Sequence, residues 1–314
     1  MKMRIRRLGR KYLDLELSVG DNLRARVVER PGRWMPPDDL ARMVDDLRVV
    51  AATTLGGDSL DYGVLTGDID RLNDAILTVL YEGESRQPVG FNALSLLTLD
   101  LRGRPEEVLH TGLVMVDPEF QGRGFSWVLS GLSVVLTFFH RQLRPLWITN
   151  VTQVPAVFGL IVESFDDVFP ARLKDRRTYR HLEIARQVMG NHRHVFGVAQ
   201  EAGFDPERFI ITNAYTGGSD NLKKTYSQAP KHRHDEYNAM CRGQLDYERG
   251  DDFLQIGQMN LRTGRRYLLR AVPRSSLWSI LSRGLFLLGG SVIVPAVQWF
   301  SPGTQLGELR PWNH

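Results

Sequence analysis

A glycine-rich corner at residues 114–126, VMVDPEFQGRGFS, carries the clearest sign of chemistry in this chain. Its apolar start predicts a strand, and the apolar run after it predicts a helix that begins near Gly124. The first amides of a helix lack intrahelical partners and lie at the positive end of its dipole, so they suit an anion. Gly122 and Gly124 would let that anion approach the backbone, and Arg123 adds a positive charge. The corner therefore predicts an anion-binding site.

The common phosphate-loop patterns do not fit this corner. The chain has neither Gly-x-x-x-x-Gly-Lys-Ser/Thr nor Gly-x-Gly-x-x-Gly. The corner instead resembles the coenzyme A-binding motif of the GNAT superfamily of N-acetyltransferases, which is Gln or Arg, any two residues, Gly, any residue, and Gly or Ala. Here the motif is Gln121-Gly122-Arg123-Gly124-Phe125-Ser126, after a typical VDPEF lead-in. Ser126 departs from the pattern but is also small.

The resemblance covers roughly residues 23–166 and implies a site for acetyl-coenzyme A, or another acyl-coenzyme A, as co-substrate. It implies that main-chain amides from Gln121 to Ser126 hold the pyrophosphate. It also implies that the preceding strand pairs with the pantetheine arm through its backbone. The strand residues concerned are Val114, Met115 and Val116. Asn150, on the next strand, is expected to donate to the acyl-pantetheine or to the acceptor.

The catalytic base is expected at His110, the position on the motif strand where relatives often carry a carboxylate. Histidine suits this role because its ordinary pKa lies near neutrality, although a histidine buried for packing is an equal alternative. Glu107 is the second choice. The helix VPAVFGLIVESF has no tyrosine where many relatives place the leaving-group acid. Three alternatives remain open. Another group protonates the leaving thiolate, with Tyr215 and Thr152 as candidates, solvent protonates it, or the protein has lost activity.

The patterning predicts an α+β fold with a mixed, mostly antiparallel central sheet flanked by helices, which is also the GNAT-like acyltransferase fold. Strands are predicted at 23–29, 75–82, 89–101, 106–116, 145–151, 208–215 and 252–260, and helices at 36–55, 124–140 and 155–165. The predicted domain spans 12–270 with insertions at about 170–206 and 216–250. Residues 271–314 form an apolar C-terminal extension.

Composition narrows the class of protein. The 314 residues carry a net charge of +4, a mild excess that suits an anionic ligand and does not by itself predict nucleic-acid binding. The single cysteine, Cys241, excludes an intrachain disulfide and suits a reducing compartment. No continuous apolar run follows the basic first residues, so a secretory signal is not expected. A cytoplasmic protein is predicted, with membrane association left open.

Two pairs of histidines at i, i+2 occur in NHRHVFG and KHRHDEYNAMC. Zinc sites usually show more regular Cys/His spacing, so solvated polar insertions are expected and no metal site. Later, the stretch from Gly284 to Phe300 has no charge, and Gly289, Gly290 and Pro295 are expected to interrupt any helix. Three alternatives are open for this apolar stretch. It packs on the domain, forms a homodimer contact, or makes a peripheral membrane contact through 276–300.

These expectations combine into one functional prediction. The protein is expected to transfer an acetyl or longer acyl group from acyl-coenzyme A directly to an amine, carried by a small-molecule or lipid-like acceptor. Two alternatives stay open. One is a non-catalytic module that senses acyl-coenzyme A, and the other is a long-chain acyltransferase that acts at a membrane surface.

Overall fold

A ten-stranded mixed sheet forms the centre of the protein in the computed structural model, which describes residues 11–20, 22–55, 63–125, 127–172, 174–217, 219–301 and 303. The strands within these ranges are β1 (Asp14–Gly20), β2 (Leu23–Glu29), β3 (Ala75–Glu82), β4 (Gln87–Asp100), β5 (Pro105–Val116), β6 (Leu146–Thr152), β7 (Asp166–Phe169), β8 (Gly203–Asp205), β9 (Ile210–Thr212) and β10 (Asp252–Met259). Their spatial order is β1-β2-β3-β4-β5-β6-β10-β9-β8, and β7 also pairs with β10.

Helices cover both faces of the sheet. They are α1 (Pro37–Thr54), α2 (Ile69–Asn73), α3 (Ser133–His140), α4 (Pro155–Ser164), α5 (Tyr179–Gln187), α6 (Asp235–Gln244), α7 (Leu261–Arg270) and α8 (Arg274–Phe300). A π-helical stretch, Val128–Leu132, leads directly into α3. Neighbouring strands are antiparallel apart from β5 and β6, which are parallel. The predicted α+β fold class, with a mixed and mostly antiparallel sheet, is confirmed.

The strands and helices with strong local patterns lie where the sequence predicts them. The strands β2 to β6 and β10 and the helices α1 and α4 match within about two residues, and β9 is shorter than predicted. The strands β1, β7 and β8 were not predicted; β7 and β8 have four residues or fewer and carry little periodicity. The polar region at 170–206 contains α5, and the region at 216–250 contains α6.

The two faces of the sheet pack different helices. We call the face that packs α1 and α5 the front, and the face that packs α3 and α8 the back. Val108 of β5 lies in the front core with Ile184 of α5. Its neighbour Leu109 lies in the back core with Leu136 of α3 and Leu287 of α8. This alternation follows from the two-residue repeat of a strand.

A bulge in β5 interrupts this alternation in the middle of the sheet. Ser95 of β4 lies opposite His110, and Ala93 lies opposite Leu113, so two residues of β5 face one residue of β4. Gly112 is one of the extra pair, and a Cβ atom there would lie 2.1 Å from the carbonyl oxygen of Ala93. Because of the bulge, His110 and Leu113 both point to the front face.

The prediction that glycine and proline interrupt the C-terminal stretch is wrong. The helix α8 runs unbroken from Arg274 to Phe300 with Pro295 inside it. Proline removes one helical hydrogen bond and costs about 3 kcal/mol in a helix interior. Leu287 and Val294 are buried against the domain on the same side of α8, and their burial offsets that cost.

Candidate functional site

A gap opens between β5 and β6 near the centre of the sheet. The two parallel strands pair at only three positions, the last of them Thr111 with Asn150. Beyond this point β5 continues beside β4 to Val116, while β6 continues beside β10 to Thr152. Within the part of the chain that the structure describes, the separation leaves one backbone edge of β5 without a neighbouring strand. An extended ligand could pair with this edge as an additional strand would.

The backbone groups of β5 at this gap have a defined direction. The amide of Asp117 donates to the carbonyl oxygen of Val89 in β4 at 3.0 Å. Because N–H and C=O groups alternate in direction along a strand, those of Val114 and Val116 point away from β4 and into the gap. Val114 is 43% exposed, whereas the side chain of Met115 is buried in the front core. The carbonyl oxygen of Val116 accepts from the side-chain amide of Gln121 at 3.2 Å.

The corner after β5 has an open, glycine-dependent backbone. Asp117 accepts a hydrogen bond from the amide of Glu119 at 2.9 Å, which turns the chain sharply. Gly122 and Gly124 have φ angles of +75° and +80°, which favour glycine over any residue with a Cβ atom. A Cβ atom at either position would meet nothing within 4 Å. Space for a ligand therefore lies directly beside the backbone at both glycines.

Four consecutive amides at this corner have no partner in the described part of the chain. They belong to Gly122, Arg123, Gly124 and Phe125. The amide of Gln121, by contrast, donates to the carbonyl oxygen of Pro118 at 3.3 Å. Ser126, which the motif also includes, lies outside the described residues.

A cation and a helix dipole accompany these amides. The guanidinium of Arg123 stacks on the ring of Phe120, with 4.4 Å from its central carbon to the ring centre. The helical segment Val128–His140 begins just after the corner, so the positive end of its dipole lies at the same place. The corner combines unpaired amides, a cation and a helix N-terminus, which together suit a phosphate or diphosphate.

A cleft of about 540 Å³, which we call the back cleft, begins at Gly124 and runs between α3, α4 and α7. Three arginines line it. Arg233 pairs with Glu163 at 2.7 Å, and Arg266 lies 3.4 Å from the carboxylate of Asp166. Arg270 forms no ion pair with any residue that the structure describes. Arg270 therefore adds positive charge to the cleft that begins at the corner.

Asn150 lies at the apex of the gap and is buried. Its side-chain nitrogen donates to Gln255 at 3.2 Å, and its oxygen accepts from the hydroxyl of Thr111 at 2.8 Å. Gln255 in turn donates to the carbonyl oxygen of Phe158 in α4 at 3.3 Å. This network ties β5, β6, β10 and α4 together where the strands separate. The partners Thr111 and Gln255 gave no sign of this role in the sequence.

His110 faces the front side of the sheet and is only 2% exposed. Its Nδ1 lies 2.9 Å from the hydroxyl of Thr149, and its ring packs on Phe196 with ring centres 4.9 Å apart. Burial lowers the pKa of His110 to about 3, so the imidazole is neutral at neutral pH. Glu107, the second choice from the sequence, forms ion pairs with Arg30 and Arg141 before the strands separate.

A second cavity, of about 530 Å³, lies on the front face at the bulge, and we call it the front cavity. Backbone and side chains around the bulge, including Ser95 and Gly112, form one wall. Three aspartates, one arginine and two histidines from α2, its flanking residues and the segment after α5 complete the lining. These residues are Asp68, Asp70, Arg71, Asp74, His192 and His194.

The front cavity holds neutral imidazoles beside carboxylates. Burial lowers the pKa of His192, which a hydrogen bond to the backbone of Thr98 and the charge of Asp74 partly oppose. Burial, with help from Arg71 and His192, also lowers the pKa of His194. Both rings are therefore able to accept a proton at neutral pH. The sequence singled out this histidine pair only as a weak metal candidate, because its distance from β5 is set by tertiary packing.

The positions considered for the leaving-group acid are buried or hydrogen-bonded within the protein. On α4, Phe158 is buried, and a Cβ atom at Gly159 would lie 2.5 Å from the ring of His232. Tyr215 donates to the carboxylate of Asp252 at 3.1 Å, and Thr152 accepts from the amide of Val154 at 3.0 Å. No leaving-group acid stands out among the described residues.

Two further residue sets bear on the chemistry. Burial raises the pKa of the Cys241 thiol to about 12, so it is no thiolate nucleophile. Within the described part of the chain, no group of three or more His, Cys, Asp or Glu side chains is arranged to hold a metal ion. Of the second histidine pair, His232 and His234 lie 3.8 Å and 3.3 Å from Glu163.

Comparisons with known proteins give distant, partial structural matches. No protein-family model matches the chain, and no curated protein matches it in sequence. Several solved structures do match, and they are N-acetyltransferases.

Three of these structures indicate the level of similarity. A GNAT family acetyltransferase from Staphylococcus aureus shares 13% identity over 33% of this chain and 69% of its own, with a TM-score of 0.23. A point variant of spermidine N-acetyltransferase from Vibrio cholerae shares 17% identity over 46% of this chain and 78% of its own, with a TM-score of 0.29. A chimera of that enzyme with hSSAT shares 16% identity over 51% of this chain and 89% of its own, with a TM-score of 0.30. Similarity this low assigns neither a family nor a substrate to this chain.

Proposed function

We propose that this protein is an acyl-coenzyme A-dependent N-acyltransferase of the GNAT type. The observation that carries the proposal is the set of amides from Gly122 to Phe125 that lack partners among the described residues, located where β5 leaves a backbone edge open beside β6. Amides that lie free at a helix N-terminus suit a diphosphate, and an open strand edge suits an arm that bears amide groups. Coenzyme A contains both groups in one molecule.

The residues of the corner and the gap divide the binding of acyl-coenzyme A between them. Gly122 to Phe125 hold the diphosphate through main-chain N–H groups, and Arg123 adds charge. Val114 pairs with the pantetheine arm through its backbone N–H and C=O groups, and Val116 pairs with it through its N–H group, because these groups point into the gap. Asn150 helps to hold the apex at which the thioester would lie. When bound, the thioester supplies an activated acyl group.

The front cavity is the proposed site of the acceptor amine. Its wall includes Gly112 and Leu113 of β5, which directly follow Thr111, the last residue of β5 that pairs with β6. Asp68 and Asp70 favour a positively charged acceptor by simple electrostatic attraction. A protonated amine must lose a proton before it can attack a thioester, and neutral His192 or His194 is able to accept it.

His110 remains the alternative base. Its Nε2 has no hydrogen-bond partner among the described residues, and its side chain faces the same side as the front cavity. A base is most effective when its pKa lies near the operating pH. A pKa of about 3 therefore makes His110 a weak base at neutral pH.

A non-catalytic sensor of acyl-coenzyme A is the second candidate function. The observation in its favour is that α4 carries Phe158 and Gly159, and no tyrosine, where relatives often place the leaving-group acid. Such a protein would keep the corner and the gap but would not release thiol.

Two measurements on the purified full chain separate these functions. Calorimetry with coenzyme A tests the corner, and a thiol-release assay with acetyl-coenzyme A and a panel of diamines and monoamines tests transfer. We expect binding, together with thiol release that depends on the amine. Binding without release for any amine would support the sensor, and a failure to bind coenzyme A would remove both functions.

A further inference from the structure

The helix α8 is apolar on two opposite sides. One side packs against α3 and β1, where Ile280, Leu287 and Val294 are buried at seven-residue spacing. A Cβ atom at Gly284, on the same side, would lie 3.1 Å from the ring of Phe139. Among the described residues, Ser276–Phe300 is the one helix long and apolar enough to cross a membrane, and a third of its most apolar window is buried.

The opposite side of α8 is exposed along its whole length. Its large apolar side chains lie mainly on the half of the helix surface that faces away from Leu287, where they form one broad stripe. They are Trp278, Leu281, Leu285, Val292, Ile293, Val297, Trp299 and Phe300. Trp278 is 75% exposed near the start of the helix, and Trp299 is 83% exposed near its end. An exposed apolar stripe of this length marks an interaction surface.

Unpaired positive charge continues from this stripe into α7. No acidic residue occurs from Leu261 to Phe300. Arg265, Arg270 and Arg274 are exposed and form no ion pair with any described residue. Exposed Leu261 and Leu269 lie among these arginines on α7. The two consecutive helices thus present exposed apolar side chains together with arginines that lack ion pairs among the described residues, and we call these exposed residues the α7–α8 surface.

We propose that the α7–α8 surface binds the surface of an anionic lipid membrane, with α8 lying in the membrane plane. The exposed stripe would enter the boundary between headgroups and acyl chains, where tryptophan is enriched. Arg265, Arg270 and Arg274 would meet anionic headgroups. This assignment rests on the surface alone and does not depend on the proposed acyl transfer.

Packing of α8 on the domain argues against a transmembrane orientation. A spanning helix would carry α3 and β1 into the hydrocarbon, together with the ion pair of Arg26 and Asp14 in β2 and β1. Charged groups are costly to place there. A helix in the membrane plane keeps these contacts and buries only its free side.

Charge also favours lipid over a second copy of the chain. A symmetric contact uses the same patch of both copies, so each copy must offer the other the same set of side chains. No acidic side chain on the α7–α8 surface is available to compensate the arginines. Anionic headgroups complement both the apolar stripe and the arginines.

The test is sedimentation of the purified full chain with vesicles, without any acyl-coenzyme A. Vesicles of phosphatidylcholine with phosphatidylserine are expected to bind the protein, and binding should weaken at high salt. Trp278→Ser combined with Leu285→Ser should weaken binding at least about tenfold, because two large apolar side chains no longer enter the lipid. Tyr179→Ser, at a residue 71% exposed on α5, is the matched control and should have no effect.

The arginines are tested separately. Arg265→Gln combined with Arg274→Gln should weaken binding by about fivefold per charge removed, and Arg104→Gln, in the exposed turn before β5, should not. These positions are exposed, so circular dichroism should show an unchanged fold. Two outcomes would overturn the proposal. One is sedimentation no greater than without vesicles, and the other is a dimer, detected by light scattering, that Trp278→Ser with Leu285→Ser converts to a monomer.

Discussion

The hydroxyl of Tyr267 donates a hydrogen bond to the carbonyl oxygen of Trp127 at 2.6 Å, and the ring of Tyr267 lies on Gly131. A Cβ atom at Gly131 would lie 2.1 Å from the ring. This contact joins α7 to the first turn of the helix that follows the corner. It therefore links the candidate acyl-coenzyme A site to the segment that carries the α7–α8 surface.

Gly131→Ala should destabilise the protein by about 1–3 kcal/mol, because the new methyl group overlaps the ring of Tyr267. Tyr267→Phe should cost about 1 kcal/mol through the lost hydrogen bond. Urea unfolding measures both. Gly190→Ala is the matched control, since Gly190 also lies in a π-helical stretch and a Cβ atom there meets nothing within 4 Å. A neutral Gly131→Ala would contradict this packing.

Gly122→Ala should weaken coenzyme A binding at least about tenfold, because a methyl group enters the space beside the free amides of the corner. Gly103→Ala provides a close control. Gly103 lies in the turn between β4 and β5, has a φ angle of +74° against +75° at Gly122, and is equally open. Both variants should lose similar stability, about 1 kcal/mol, from backbone strain. Calorimetry should show lost affinity for Gly122→Ala alone, and equal affinities would remove the corner as the binding site.

Asp70→Asn should raise the KM for a diamine about two- to fivefold and leave kcat nearly unchanged, because it removes an exposed charge that attracts the acceptor. His192→Gln should instead lower kcat if this imidazole accepts the proton. Steady-state kinetics with a diamine measure both effects. Asp45→Asn on α1, outside the front cavity, should change neither value. An unchanged KM for Asp70→Asn would separate the front cavity from acceptor binding.

His110 predicts a pH dependence of stability. Its pKa is about 3 in the folded protein, below the ordinary value of 6.5, so the unfolded chain binds a proton first as the pH falls. Its contribution to stability is complete above pH 6.5 and declines by about 1.4 kcal/mol per pH unit below it, until the pH reaches the folded pKa.

His110→Gln should reduce this decline, as measured by urea unfolding between neutral and mildly acidic pH. Thr149→Val removes the hydroxyl beside Nδ1 but leaves the imidazole buried, so the decline should persist in that variant. The same decline in His110→Gln as in the unchanged protein would show that other groups cause it.

Local patterns were sufficient to predict the part of the sheet that frames the gap. The strands β3 to β6 are long or strongly apolar, and Pro155 lies at the first position of α4, so their bounds follow from nearby residues. The corner was predictable for the same reason. The positive φ angles at Gly122 and Gly124 depend on the residues themselves, and Asp117 forms its turn with a residue two positions away.

The sequence by itself thus determined the α+β fold class, the strand-to-helix corner and the lack of a reactive thiol pair. Only the tertiary structure decided which groups share a site. His192 reaches the bulge through packing of the segment after α5, and Asp70 meets it from a distant part of the chain. Burial of Leu287 likewise stabilises α8, which continues past Pro295 although proline locally predicts the end of a helix. Such contacts join residues far apart along the chain, and their free energies depend on the assembled core, which no local pattern records.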